Sequence, residues 1–483
     1  MSSTSNSSTP RAPTRRRPGE SIAAVRPAVK RTAVRAALLG LTAALLGRAA
    51  LAAEPSAAPE LPIPPIAFRA RVLDNGLRVI AVERRATPTV AVQVWYHVGS
   101  RDDPPGRSGF AHLFEHMMFK ATRNLADEQF DRLTEDVGGA NNAFTSDDVT
   151  AYQSVVPANH LETLLWAEAE RMANLRVDAA NFRSERAVVQ EEYRQQILAA
   201  PYGRFFNAIP GASYRVHPYR RTTIGSIEDL DAAELADVVA FHAAHYRPDN
   251  ATLVVAGDFD PAQLDAWVDR YFGHLPRPPA APARAPADEP PWPADRRVDL
   301  AAPRVPLPAV ALTWLAPPLT HPDAAALRVA AAILANGDSS RLNQALVYRQ
   351  QVASQAGFDA DLRVGPGLLI GYAIAAGDSA LERVRAALLT EVKRLIAQPP
   401  HAAELAKVKT QLITAAFMTR QTALGLGAAV AEAAVLEGDP ARVNASLDDL
   451  RRVSAADVQR VLRRYVAGAH HVTIAYRQAP AAR

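Results

Sequence analysis

Short apolar runs alternate with longer stretches of helical spacing along the first half of the chain. Phe68–Leu73 and Leu77–Val82 flank Asp74-Asn75-Gly76. Asn-Gly accepts the positive φ values of a tight turn, so the pattern predicts a β-hairpin. Thr89–Val98 follows as an apolar strand, and Ala251–Ala256, closed by Gly257, as another. Phe110–Lys120 and Asn181–Leu198 carry apolar residues at the helical period. Strands mixed with long helices predict an α+β fold, with helices packed on a largely antiparallel sheet.

The same order recurs later. Pro88-Thr-Val-Ala-Val-Gln-Val-Trp95 is echoed by Pro308-Ala-Val-Ala-Leu-Thr-Trp314, and Ser226-Ile-Glu-Asp-Leu230 by Ser446-Leu-Asp-Asp-Leu450. Ala232-Ala-Glu-Leu235 pairs with Ala455-Ala-Asp-Val458 at a slightly larger offset. Shared order at a near-constant offset predicts a duplication. Between the copies, Pro276–Asp295 is rich in Pro and Ala and reads as a semi-extended linker. The expected layout is a leader over residues 1–52, a metal-binding half over 53–275, a linker over 276–297 and a second homologous half over 298–483.

A length of 483 residues suits two such domains, and 48% hydrophobic residues suffice to fill their cores. The net charge of +4 belongs to the leader. Residues 1–52 hold nine Lys and Arg and one acid. Removing these from the chain's 54 bases and 50 acids leaves 45 and 49, a net of −4, so the basic balance of the whole chain is no evidence for nucleic-acid binding and none is expected. The basic segment ending at Arg35, the apolar run Ala36–Gly47 and Ala50-Leu51-Ala52 form an export signal pattern, with cleavage expected before Ala53. The run is too short to span a bilayer as a mature helix, so a soluble periplasmic protein is expected. There are no cysteines. That removes disulfides, thiolate metal sites and cysteine nucleophiles, leaving His, Asp and Glu as ligands for any transition metal.

Candidate chemistry concentrates in Gly109-Phe-Ala-His112-Leu-Phe-Glu115-His116-Met-Met-Phe119. On a helix, positions four apart share a face, so His112 and His116 can present two imidazoles to one ion. Glu115 lies within reach of a water on that ion. Two histidines at this spacing are also a common surface pair, and the intervening glutamate and the apolar flanks bring the metal reading only level with that one. A tetrahedral site then needs one more protein ligand.

His-x-x-Glu-His is the inverted zinc-peptidase motif, and here the chain resembles the insulinase–pitrilysin family in its bacterial two-domain, mitochondrial-processing-peptidase-like form. The resemblance rests on Asp74-Asn-Gly-Leu77, Gly99-Ser100, Gly138-Gly139-x-x-Asn142-Ala143 and Asp148-x-Thr150-x-Tyr152. It continues through Glu185-Arg186-x-Val-Val189-x-Glu-Glu192, Tyr246-x-Pro-x-Asn250 and Val254-Val-Ala-Gly257-Asp258. It implies a zinc metalloendopeptidase with one Zn²⁺ per chain, in which Glu115 is the general base. The third ligand would be a downstream glutamate, for which Glu191 and Glu192 compete. The family pattern aligns with Glu192, and Glu185 and Glu192, about two turns apart at ~100° per residue, share a helix face. The resemblance also places Glu185 close to the site as a supporting acid, and makes Asn142, Ala143, Phe144 and Thr145 the edge strand that pairs with a peptide substrate.

The second half departs from this pattern. Its counterpart of the motif region, Asp323–Leu334, is plain alanine-rich helix. Family halves that complete the active site carry an Arg and a Tyr where this chain has Val347 and Ser354, counting from Ser339-Ser-Arg-Leu342. The resemblance therefore implies a homologous partner subunit, lacking the zinc motif, that supplies the Arg and Tyr. Some members are non-catalytic structural or assembly subunits. Those typically lose ligands, whereas His112, Glu115, His116 and Glu192 are all present here.

Overall fold

A computed structural model describes residues 63–280 and 288–480. The expected leader and its cleavage point lie outside the described residues, as does 281–287 of the linker. The hairpin expected around Asn75-Gly76 forms β1 (Arg69–Val72) and β2 (Arg78–Glu83), with Gly76 at φ 91°. They join β3 (Thr89–Tyr96), β4 (Ala140–Thr145), β5 (Thr150–Pro157) and β6 (Ala251–Gly257) in a sheet of order β1-β2-β6-β3-β5-β4. The second sheet uses β7 (Arg296–Ala302), β8 (Ala309–Ala316), β9 (Ala353–Asp361), β10 (Gly367–Ala375) and β11 (Val472–Gln478) in the order β7-β11-β8-β10-β9.

These orders are one topology used twice. β2 runs parallel to β6, β7 runs parallel to β11, and every other pair is antiparallel. β3 and β8, which carry the echoed sequences, sit third from the hairpin edge, β4 or β9, in their sheets. β4 and β9 close the corresponding edges. The fold is thus α+β with two mixed sheets packed by helices.

Each sheet is covered on both faces, which explains why strands such as β3 are apolar throughout and do not alternate. Successive side chains of a strand point to opposite faces. Val90, Val92, Val94 and Tyr96 of β3 therefore enter one core with the helix Phe110–Met117, while Trp95 enters another. That second core is completed by Leu426, Val430, Ala431 and Ala434 of the helix Ala423–Leu436, which belongs to the second half of the chain. The favour is returned. The helix Gly203–Ser213 of the first half sends Phe205 and Ile209 against Ala309, Ala311, Val472 and Ile474 of the second sheet. The two exchanged helices begin at Gly203 and Ala423, 220 residues apart. Each large apolar side chain buried this way contributes about 1.5–3 kcal/mol.

Polar contacts lace the same seam. Gln93 Nε2 donates to the Leu424 carbonyl at 2.7 Å, and Gly427 leaves room for it, because a Cβ there would lie 2.6 Å from that nitrogen. The turns of the two equivalent hairpins also meet. Arg363, after β9, pairs with Asp147, after β4, at 2.9 Å. Asp148 takes Arg101 at 2.7 Å, the Tyr219 hydroxyl at 2.6 Å and the Val364 N–H at 3.2 Å.

Because each half completes the other's core, the chain is expected to melt in a single calorimetric transition. Residues 63–280 expressed alone would expose Ile80, Trp95 and Val254 and bind a hydrophobic dye, and co-expression with 288–483 would suppress that binding. Two separate transitions in the full chain would contradict this.

Candidate metal centre

The motif helix, Phe110–Met117, is fixed at its start. Gly109 takes φ 96°, and the buried Asp103 carboxylate accepts the Gly109 N–H at 2.7 Å and the Ala111 N–H at 2.9 Å. These meet two donors that a helix start leaves without intrahelical partners. Gly225 presses against the same corner, where a Cβ would lie 2.2 Å from the Ser108 carbonyl oxygen. Phe110, Ala111, Leu113, Phe114 and Met117 enter the core, and the Tyr152 hydroxyl donates to the Phe114 carbonyl at 3.2 Å. His112, Glu115 and His116 remain on the opposite face.

The second helix, Ala179–Tyr193, is capped by Asp178, which accepts the Ala180 and Asn181 N–H groups. Its buried positions are Phe182, Glu185 and Val189. Glu192 continues that three-and-four spacing, so the stripe that docks the helix also aims its two acids at the histidines.

Glu192 Oε2 lies 3.6 Å from His112 Nε2 and 3.5 Å from His116 Nε2. One ligand atom from each of the three residues falls within 4.8 Å of the others. A zinc held at ~2.0–2.1 Å by N and O ligands in a tetrahedron requires ligand–ligand separations of about 3.3–3.4 Å. The separations here are long for hydrogen bonds and close to those edges, so the donor set fits such an ion. The three side chains are between 12% and 28% exposed, shielded yet open on one side. Burial, and then the neighbouring His116, push the His112 pKa down to about 4, so its imidazole is neutral and its lone pair free.

Glu185 lies behind His116, 3.6 Å from Nδ1, and pairs with Lys120 Nζ at 2.9 Å. Burial opposes its charge but is outweighed by the hydrogen bonds from His116 and Lys120, which hold its pKa below the ordinary value. A carboxylate at Nδ1 leaves Nε2 as the donor atom toward the metal position. Glu191, the rival to Glu192, points to solvent and meets Arg194 at 3.3 Å and Gln195 at 3.2 Å.

Glu115 is not among the clustered ligand atoms. Its Oε2 accepts the Thr145 hydroxyl at 2.7 Å, and burial raises its pKa. Thr145 ends β4, whose outer edge pairs with no strand among the described residues. Ala143 faces the motif helix, Asn142 is exposed, and Phe144 turns to the far face against Trp95, with ring centroids 5.3 Å apart. Between β4 and the ligands lies an open pocket of about 270 Å³, closed by Gln196, Thr223 and Ile224. A larger hollow of about 560 Å³ near His321 and Arg442 is lined by ion-paired arginines and acids and carries no such ligand set.

Of the residues singled out from the sequence, His112, His116 and Glu192 cluster, Glu115, Ala143, Phe144 and Thr145 line the pocket with His112 and Glu192, Glu185 lies behind His116, and Asn142 is exposed on β4 outside the pocket lining. Lys120, Asp103, Gln196, Thr223 and Ile224 were not anticipated. Gln196 follows Glu192 by four residues, a spacing a helix brings together, whereas Lys120 lies in the turn after the motif helix ends at Met117. Nothing local marks Thr223 or Ile224, which arrive through the close approach of Gly225 to Ser108. Among the described residues, none from the second half lines this pocket. There, Val347 sits in the π-helical segment Asn343–Arg349, and Ser354 Oγ donates to the carbonyls of Ala375 and Ile374 at 3.2 and 3.4 Å.

Residues 78–226 match the family model described as insulinase (peptidase family M16), and residues 232–412 match that of the peptidase M16 inactive domain. The chain is 35% identical to the zinc protease PqqE of Helicobacter pylori over 59% of its own length and 64% of that protein's. It is 25% identical to a probable mitochondrial-processing peptidase subunit beta of Arabidopsis thaliana, over 68% of this chain and 63% of that one. Each alignment spans less than two thirds of the relative's length. The crystal structure of a protease from Helicobacter pylori superposes with a TM-score of 0.82 at 28% identity, covering 85% of this chain and all of that one.

Proposed function

The chain belongs to the insulinase (M16) family of peptidases, and from that premise we propose that it is the catalytic, metal-bearing subunit of a zinc-dependent endopeptidase acting on peptides or unfolded polypeptide segments. The observation that carries the proposal is the convergence of His112, His116 and Glu192 beside one separate carboxylate, Glu115.

His112, His116 and Glu192 are the proposed ligands of one zinc ion. Such an ion, when bound, polarises a peptide carbonyl and acidifies a water molecule. Glu115, held by Thr145, accepts the proton of the attacking water and passes it to the departing amine. Its raised pKa suits a group that must both take and return a proton. Asn142–Thr145 offer a backbone edge on which an extended substrate pairs as an added strand, and side chains next to the scissile bond enter the pocket by Thr223 and Ile224. Glu185, backed by Lys120, keeps His116 turned toward the ion.

In the second half, Val347 and Ser354 stand where the family resemblance implies Arg and Tyr, with Tyr348 and Arg349 adjacent, and counted this way the two positions offer no Arg or Tyr to the developing oxyanion. We propose that a homologous partner chain supplies them, in keeping with a relative that is itself a named subunit. The proposed layout is an exported chain cut before Ala53, with the metal-bearing half over 53–275, a linker over 276–297 and a second half over 298–483. No helix among the described residues is long and apolar enough to cross a membrane.

Glu115→Gln should retain one zinc per chain by elemental analysis while peptide cleavage falls about 10²–10⁴-fold; undiminished cleavage would sink the mechanism. Glu192→Gln should lose the metal. Mixing the chain with a relative that carries the Arg and Tyr should raise its rate by roughly 10²–10³-fold, the usual worth of one oxyanion donor. Equal rates with and without that partner would remove the two-chain proposal. For export, the amino terminus recovered from a periplasmic fraction should be Ala53.

A further inference from the structure

Glu192 has two carboxylate oxygens, and only Oε2 faces the histidines. Oε1 turns away and accepts a hydrogen bond from Gln196 Nε2 at 2.7 Å. Gln196 lies in the π-helical segment Arg194–Ala199 directly after the ligand helix, and it lines the pocket. A carboxylate ligand can bind through one oxygen or two. With Oε1 free to swing inward, a second bond would raise the coordination number and fill a position that the reacting water requires.

We infer that Gln196 is a positioning residue that holds Glu192 as a one-oxygen ligand and keeps the remaining coordination position open. The inference rests on the metal site proposed above. The adjacent pair supplies an internal control. Gln195 donates to Glu191 at the same four-residue spacing, but at 3.2 Å and on a side chain 56% exposed, whereas the Glu192 side chain is 28% exposed. Helical Glu and Gln four apart meet readily on any surface. What sets Gln196 apart is that its acceptor also faces two imidazoles and stands beside a pocket.

The arrangement makes the site fixed from two sides. Glu185 and Lys120 orient His116, and Gln196 orients Glu192. Partners of this kind typically alter metal affinity by 10–100-fold when removed.

The experiment uses the full chain, loaded with Zn²⁺ or Co²⁺, as wild type, Gln196→Met and Gln195→Met. Methionine keeps the length of the side chain and removes the donor. Gln196→Met is expected to weaken Zn²⁺ binding by about 10-fold or more in competition with a chelator. Its Co²⁺ form should show the weaker visible absorption of a five-coordinate ion, while the metal-free protein melts as wild type does. Gln195→Met should leave all three readouts unchanged. Equal zinc affinity and an identical cobalt spectrum in Gln196→Met overturn the inference, as do equal losses in both variants. If wild type binds no metal at all, the site itself fails and the inference falls with it.

Discussion

Three lone pairs must meet within the span of one ion, and they come from two helices whose ligands lie far apart in sequence. Neither helix could meet that tolerance alone. The motif helix is clamped by the Asp103 carboxylate and by the contact of Gly225 with Ser108. The second helix is held by the stripe of Phe182, Glu185 and Val189 that buries it. An error of an ångström in either position would separate Glu192 from the imidazoles. The first sheet is the platform for the motif helix, and the second helix docks on that helix within the same core.

The electrostatics follow from that crowding. His112 is driven neutral by burial, whereas His116, one turn on, is drawn toward charge by Glu185, Glu115 and Glu192 against the cost of its own burial. Three carboxylates and two imidazoles in so small a volume are tolerable because each carboxylate has a designated counterpart. Lys120 answers Glu185, Gln196 answers the outer oxygen of Glu192, and Thr145 answers Glu115. The divalent cation proposed for the three ligands would complete the balance.

Much of this was legible in the sequence, and for definable reasons. The i, i+4 histidines and the face shared by Glu185 and Glu192 are local consequences of helical period, so spacing alone exposes them. The hairpin at Asn75-Gly76 is equally local. The duplication could be seen in ordered echoes, although Ser226 caps its helix while its counterpart Ser446 lies inside one. What spacing does not carry is contact between distant segments. Thr223 and Ile224 reach the pocket through a glycine approach, and the docking of the helix Ala423–Leu436 on the far sheet is written nowhere along its own surface, apolar except for Glu432. The helix predicted over Asn181–Leu198 spans a real element whose last turn widens into a π segment, a change of hydrogen-bonding register that periodicity does not resolve.

The reciprocal exchange of helices has a mechanical corollary. A peptidase that encloses its substrate has to open somewhere. Pulling the two sheets of this chain apart would strip a helix from each and bare Trp95 on one side and Phe205 on the other, at a cost comparable to unfolding. The two sheets of this chain therefore share no soft joint. In the proposed two-chain enzyme, any gape that admits a polypeptide would arise where this chain meets its partner.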